Sequence, residues 1–341
     1  MKTFSIITST YNSEKTIQKY FDSILRQDFD MSKIEILIID GGSTDETLNI
    51  TIKNLGKVDI KIINNTHRLP EYAKTIGVNQ ASGKYCVFQD SDEVLVNKNS
   101  LALRLEVFNS NSKVKTLTLS ELNNPKGYSL WGDYYNSIGD PFSGFMFSPS
   151  FSYYEKYKNI YNCKEVLGQV GEYLVCNTKG QALPLLDGVQ TFDKNFLLEA
   201  FNKKILEVED IVKISEMLIS ATENFAVLKD NPVDHYSASS FAQIKSKIYF
   251  RIINNIFLDK SAGFSNREGS MKWTQKIKKA LFLPYAFFII PALIDGIKWA
   301  IFRKNIAYLI HPILSFYTAY SICYNMFLKK MGIKKKMEKY G

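Results

Sequence analysis

Only four of the 341 residues are cysteine and only three are histidine. Cys86, Cys163, Cys176 and Cys323 form no CxxC pair and have no histidine-rich neighbourhood, so neither a zinc site nor a disulfide framework is written here. They are expected to be reduced, mostly buried thiols of a cytosolic-facing protein. The opening "MKTFSIITST" lacks the long apolar run and small-residue cleavage site of a secretory signal, and the expectation is that Met1 begins the fold. No internal repeat or low-complexity linker interrupts the first 235 residues, which are expected to form one domain. Hydrophobic residues make up 45% and charged residues 23%, which argues against wholesale disorder.

Charge is unevenly spread. The chain carries 43 Lys and Arg against 34 Asp and Glu, a net of +9. Residues 236–341 alone hold 18 basic and 4 acidic residues, a net of +14, which leaves 1–235 at −5. A basic rear could meet nucleic acid, but these cations bracket long apolar runs, so membrane lipids of an anionic bilayer are expected and nucleic acid is not. Residues 281–302 and 306–328 each approach the ~20 residues that cross a bilayer. The first contains Asp295, Lys298 and two prolines; the second is uncharged but includes His311. Placing the basic tail in the cytoplasm would put Arg303 and Lys304 outside in a two-span hairpin, against the positive-inside tendency. Two spans and shallow, re-entrant or interfacial helices therefore both stay open. The expected division is a domain over 1–235, a basic helical connector over 236–280, and membrane-associated helices with a basic cytoplasmic tail over 281–341.

Four apolar, β-branched runs mark the front: 3–10, 33–40, 58–65 and 84–90. Between them, "NSEKTIQKYFDSILRQ" has Ile17, Phe21, Ile24 and Leu25 at helical spacing, with Asn12 or Ser13 as N-cap. Further helices are expected over about 43–55 and 70–81, the second with Pro70 in its first turn. Strands buried on both faces and alternating with helices imply an α/β fold with a Rossmann-like, doubly wound, mostly parallel sheet. Ligands of such sheets bind beyond the carboxyl ends of the strands. "KVKTLTLSEL" reads as a further strand, and 193–204 and 206–225 read as helical.

Three stretches carry chemistry. In "EILIIDGGSTDET", Gly41 and Gly42 make a turn, and Ser43 with Glu46 spells a capping box. Asp40 is not explained by that turn. A carboxylate ending an apolar strand needs a partner, such as a base edge with an N–H donor. In "GKYCVFQDSDEV", Asp90 and Asp92 are alternate acids expected on one face of an extended chain, where a cation between them would relieve their repulsion. Hard oxygen ligands beside a diphosphate suit Mg²⁺ or Mn²⁺. In "LEVEDIVKI", Glu209 and Asp210 open a helix, and His235 follows in "NPVDHYSASSF".

In this order and spacing the pieces resemble the family 2 glycosyltransferases of GT-A fold, over about residues 3–250. "EILIIDGGSTDET" is similar to the family's nucleotide-binding segment, and "EYAKTIGVNQASGKYCVFQDSDE" to the run that ends in its D-x-D. Ser9 stands where the family has proline, Lys74 and Thr75 where it has Arg and Asn, and Glu93 where it has a last Asp. The resemblance implies that Thr8, Tyr11 and Asp40 hold the nucleoside, and that Lys74 and Asp90 face the diphosphate. It implies a metal held by Asp92 and Asp90, approached by His235. Asp210 would be the general base, supported by Glu209.

One base and no enzymic nucleophile imply a single displacement with inversion. The expected activity is metal-dependent transfer of a sugar from a nucleotide-diphosphate donor, a UDP-sugar, to a polyprenyl-linked or glycan acceptor. The expected location is the cell membrane, with the catalytic domain on the cytoplasmic face. A rival is a catalytically silent, membrane-anchored nucleotide-sugar or glycan-binding module, which donor turnover would exclude. A sugar nucleotidyltransferase would need a glycine-rich, basic loop after the first strand, and "TSTYNSEK" has none.

Overall fold

The computed structural model describes residues 1–184, 186, 188–257 and 273–335. The expected connector therefore lies partly outside the described residues, over 258–272. The chain divides into two compact units, one made of 1–123 with 152–235 and the other of 124–151 with 236–340. The aromatic segment 124–151 thus leaves the front domain to which the sequence assigned it.

The first unit has the strands β1 Phe4–Thr10, β2 Ile34–Asp40, β3 Asp59–Asn64, β4 Tyr85–Phe88, β5 Glu93–Leu95, β6 Thr116–Thr118, β7 Leu122–Asn123, β8 Asn162–Leu167, β9 Glu172–Asn177, β10 Thr191–Asp193, β11 Asn224–Leu228 and β12 Val233–His235. Nine of them form a sheet in the order β3-β2-β1-β4-β10-β6-β11-β9-β8; the others form a small sheet, β5-β12-β7. β1 to β4 are mutually parallel. Beyond β4 the sheet is mixed, since β10 runs antiparallel to both β4 and β6, and β9 to both β11 and β8.

The four apolar runs become β1 to β4. All seven residues of β2 are buried, whereas the edge strand β3 is largely exposed, so burial on both faces holds only inside the sheet. The helices α1 Ile17–Leu25, α2 Thr47–Lys53, α3 Pro70–Gln80 and α4 Ser100–Ser110 cross between strands. Gly77 lets α3 lie close on β1: a Cβ there would sit 2.2 Å from Ile7 Cγ2. α1 starts later than expected. Thr16 is its N-cap, and Asn12 has a positive φ of 49° in the preceding turn.

Glu35 is the buried charge of β2. Its Oε1 accepts from Ser5 Oγ (2.5 Å), Ser82 N (2.5 Å) and Ser82 Oγ (2.8 Å), and its Oε2 from Lys61 Nζ (2.8 Å). The cysteine expectation needs correction. Cys163 and Cys176 face each other across the β8–β9 pair and are disulfide-bonded, while Cys86 is a buried free thiol and Cys323 an exposed one. The bonded pair lie thirteen positions apart in sequence, and only the hairpin brings them opposite.

In the second unit the chain forms α5 Leu130–Ile138 and α6 Pro141–Phe147; α7 Tyr153–Ile160, α8 Lys194–Phe201, α9 Val208–Ile211 and α10 Ile214–Thr222 belong to the first. The second unit continues with α11 Phe241–Phe257, α12 Trp273–Phe287, α13 Ile290–Arg303 and α14 His311–Lys330. Its core gathers Tyr134, Ile244, Ile248, Trp299, Tyr308 and Leu314. The run 281–302 is not one straight helix, because α12 and α13 meet at 88° around Ile289, whose φ is 61°. Among the described residues one helical stretch, Ile306–Lys330, is long and apolar enough to cross a membrane.

Candidate active site

Parallel pairing brings the carboxyl ends of β1, β2 and β4 to one rim of the sheet. At the end of β4 the acids lie on a turn, not on extended chain. Glu93 N donates to Asp90 O (3.0 Å), and Asp90 N donates to Glu93 Oε2 (2.8 Å). The turn, rather than strand alternation, gathers Asp90, Asp92 and Glu93. Ser9, at the end of β1, donates to Asp90 Oδ1 (2.8 Å), and the hydroxyls of Ser13 and Ser91 lie 2.8 Å apart. β12 pairs with β5 so that His235 stands opposite Glu93, and His235 Nε2 lies 3.5 Å from Asp92 Oδ2.

Electrostatics follow from this crowding. Burial, then the charges of Asp90 and Asp92, pushes the Glu93 carboxyl well above the usual carboxylate range, against the pull of the Asp90 amide and of Lys74. Lys74 reaches this turn from α3, with Nζ 5.2 Å from the centre of the Phe88 ring. Thr75 is buried and donates back to Glu71 O (2.7 Å), a helix-internal role.

Asp40 has partners of its own. Oδ2 accepts from Gly42 N and Ser43 N, both at 2.9 Å, and Oδ1 accepts from Ser43 Oγ at 2.5 Å. Gly42 has a φ of 84°, which suits glycine and lets the loop fold back on the carboxylate. The expected capping box therefore does not form. Asp45 instead accepts from Thr47 N (3.0 Å) and Thr47 Oγ1 (2.6 Å) at the start of α2. Thr8 is also placed otherwise than expected. It is fully buried, and its hydroxyl pairs with Tyr20 inside the fold.

Tyr11 remains at the rim, and Arg68, which sequence reasoning missed, lies over its ring at 5.1 Å. The loop after β3 that carries Arg68 ends at the same rim, so strand-end logic could have flagged it.

Asp210 is buried in the first turn of α9, where its Oδ2 accepts from Glu207 N (2.8 Å) and Lys203 Nζ (2.8 Å). Glu209 beside it is exposed. α9 packs on α3, the helix of Lys74, with Ile211 in the same apolar cluster as Ala73 and Phe88. Among the described residues no three His, Cys, Asp or Glu side chains are grouped as a metal set. The acids at 40, 90, 92 and 210 do not converge as one ligand shell: Asp90 and Asp92 share a turn, while Asp40 and Asp210 are held by separate partners.

The α/β sheet, parallel from β3 to β4 and mixed beyond, with an acidic turn at the end of β4, has the architecture of the GT-A fold class. Residues 5–128 match the family model described as "Glycosyl transferase family 2", so the chain carries a family 2 glycosyltransferase domain. It is 36% identical over 103 residues to poly(ribitol-phosphate) beta-N-acetylglucosaminyltransferase TarS of Staphylococcus aureus, which covers 30% of this chain and 18% of that protein. It is 41% identical over 91 residues to dolichyl N-acetyl-alpha-D-glucosaminyl phosphate 3-beta-D-2,3-diacetamido-2,3-dideoxy-beta-D-glucuronosyltransferase of Methanococcus voltae, covering 26% of this chain and 28% of the relative. The matches thus span less than a third of either relative. The solved mannosyltransferase PcManGT from Pyrobaculum calidifontis, in complex with GDP-Man and Mn²⁺, shares the fold with a TM-score of 0.55 at 14% identity, covering 94% of this chain and 87% of that one.

Proposed function

We propose that the protein is a metal-dependent, inverting glycosyltransferase that moves a sugar from a UDP-sugar to a lipid-linked or surface-polysaccharide acceptor. The observation that carries this reading is the acidic turn after β4, with Asp92 facing His235 across 3.5 Å and Lys74 reaching in from α3. Asp92 and the imidazole of His235 would supply two donors to Mg²⁺ or Mn²⁺, which leave the remaining positions to the diphosphate and water. When bound, the ion would supply Lewis-acid stabilisation of the departing diphosphate. Asp92 and His235 would hold it, Ser9 keeps Asp90 oriented, and Lys74 adds a fixed positive charge beside the same turn. Tyr11 and Arg68 would flank the nucleoside, with Asp40 shaping the loop next to them.

Asp210 would take the proton from the acceptor hydroxyl, leaving the sugar's anomeric carbon to be attacked from the face opposite the leaving group. Lys203 holds that carboxylate in place at 2.8 Å. Exposed Glu209 has room to meet an acceptor but no partner role in that geometry. The second unit, with its cationic excess and exposed apolar side chains, would keep the enzyme at the cytoplasmic face of the cell membrane, near a lipid-linked acceptor.

A screen of nucleotide sugars for Mn²⁺- or Mg²⁺-dependent turnover by the full chain, with a membrane extract as acceptor source, tests the proposal. Turnover of one donor that stops on chelation is expected. Metal-independent binding with no turnover of any donor would favour the silent binding module.

A further inference from the structure

The sequence of 306–330 has the length and hydropathy of a membrane span, yet its surroundings argue against that placement. α11 runs alongside α14 in the same direction. Lys245 lies 5.2 Å over the Tyr317 ring, and eleven to twelve residues further along each helix Lys329 donates to Ile256 O. Lys335 closes the far end, donating to Tyr249 Oη (2.8 Å) and Asn325 Oδ1 (2.9 Å). Of the cations on α11, Lys245 faces this flank, whereas Lys247 and Arg251 lie over Tyr135 of α5 and Arg251 pairs with Asp140 at 3.1 Å. If α14 crossed the hydrocarbon, Lys245 and the Arg251–Asp140 ion pair at the end of α5 would be drawn in with the bundle, at a cost that membrane proteins meet only in polar cavities.

A polar chain also fixes the bent hairpin to this bundle. Tyr285 of α12 donates to Asp295 of α13 (2.9 Å), which leaves its oxygen to accept from His311 Nε2 (3.0 Å); His311 Nδ1 then accepts from Tyr134 of α5 (2.8 Å). Ser315 Oγ, one turn along α14, also lies 3.3 Å from His311 Nε2 and adds a further polar partner to the chain. Straightening α12 and α13 into a span would break it.

Outside the bundle the hairpin is strongly apolar. At its tip Phe288 is 73% exposed and Ile290 67% exposed. Ile290, Ile294, Ile297 and Ile301 then follow at helical spacing along α13, all exposed. Lys276 and Lys298 sit on the same two helices, and Lys304 and Lys334 follow in sequence; Arg303, at the end of α13, is taken up by Asp133.

We propose that the second unit is monotopic: the α12–α13 tip and the isoleucine face of α13 enter one leaflet of an anionic bilayer, and no helix crosses it. The flanking cations select the occupant, because a second protein copy would bring up the same excess of +14 that residues 236–341 carry and be repelled, whereas anionic headgroups would be attracted. The inference rests on the membrane attachment put forward above and is independent of the sugar chemistry.

Sidedness is the test. Sealed membrane vesicles from cells expressing the full chain are treated with a membrane-impermeant amine reagent, and lysine modification is read by peptide mass spectrometry. In vesicles where Lys53 of the first unit reacts, Lys304 and Lys334 are expected to react equally. Protection of Lys334 alone would mean that α14 crosses, and protection of Lys304 alone would mean a two-span hairpin; either overturns the proposal. In parallel, purified protein is mixed with phosphatidylcholine vesicles with and without phosphatidylglycerol. Phe288→Asp with Ile290→Asp is expected to weaken binding by about a hundred-fold or more, without loss of the folded state, since both side chains are exposed. Failure of the unaltered chain to bind either vesicle, with a doubled mass in solution, would assign the apolar face to self-association and overturn the proposal. That result would leave donor turnover untouched.

Discussion

The two units solve the problem of apolar surface in opposite ways. In the first, Phe4, Ile6, Ile36, Ile38 and Val87 are fully buried between sheet and helices, and exposed large apolar side chains are scattered singly. In the second, a smaller core around Tyr134, Ile248 and Tyr308 coexists with a run of exposed Ile, Leu and Phe from 281 to 327. The first unit is finished by its own chain; the second is finished by something else. The largest effect follows directly. Deleting residues from 273 onward does not trim a free anchor, because Trp299, Tyr308 and Leu314 pack on Tyr134 and Ile248. The truncated chain is expected to aggregate or lose 124–151 to proteolysis, measured by soluble yield and limited digestion. A soluble, compact product would show that the units are less different than their cores imply.

Within the first unit the comparison sharpens to two acids. Asp92→Asn is expected to lower turnover by about a thousand-fold with little change in melting temperature, since Asp92 faces an imidazole at the rim and not the core. Asp210→Asn would also abolish transfer, but it removes the partner of Lys203 and of the Glu207 amide, so its melting temperature should fall as well. Equal turnover in both variants and the unaltered enzyme would remove the mechanism.

A third way to probe the closed unit is its buried charge. Burial alone would raise the Glu35 carboxyl, but Lys61, Ser5 and Ser82 more than offset this and bring it from 4.5 down to about 2. The native state therefore holds fewer protons than the unfolded one between those values. The stabilisation is complete above pH 4.5 and is lost as pH falls toward 2. Glu35→Gln should cost about 2 kcal/mol at neutral pH. Urea unfolding of the two proteins should then converge as the solution is acidified; a gap that stays constant with pH would mean that packing, not charge, is lost.

The sequence made the parallel half legible because β-branched runs and intervening helical periods are local signals. Pro70 at the start of α3 and the acids after β4 stood where they were read. The mixed half was illegible, since β8 and β9 are short and carry polar residues among their apolar ones, so that neither their pairing nor the disulfide across it shows as a local pattern. At the site, tertiary contacts set side-chain partners that motif matching does not reveal. Thr8 points to Tyr20, Asp40 is occupied by its own loop, and the acids of the β4 turn meet through a bend that alternation does not predict. Nothing in 124–151 announced that it belongs with residues more than a hundred positions later.

The smallest expected effect concerns Arg68, the rim residue that the motif did not contain. Its guanidinium lies 5.1 Å over the Tyr11 ring, and Nη2 would be 3.5 Å from a Cβ on Gly42, so it lies close to both the tyrosine and the loop that wraps Asp40. A cation there contributes to a nucleotide's binding without holding the fold together, because the side chain is only half-buried. Arg68→Ala is expected to weaken UDP binding by about ten-fold, read by calorimetry, with stability within about 0.5 kcal/mol of the unaltered protein. Arg68→Lys keeps the charge but loses the planar fork that can stack on Tyr11, and should fall between the two. Unchanged UDP affinity in both variants would make Arg68 a cover for the tyrosine ring, and would leave the β4 turn and Lys74 as the charged groups that distinguish this rim from the apolar face of the second unit.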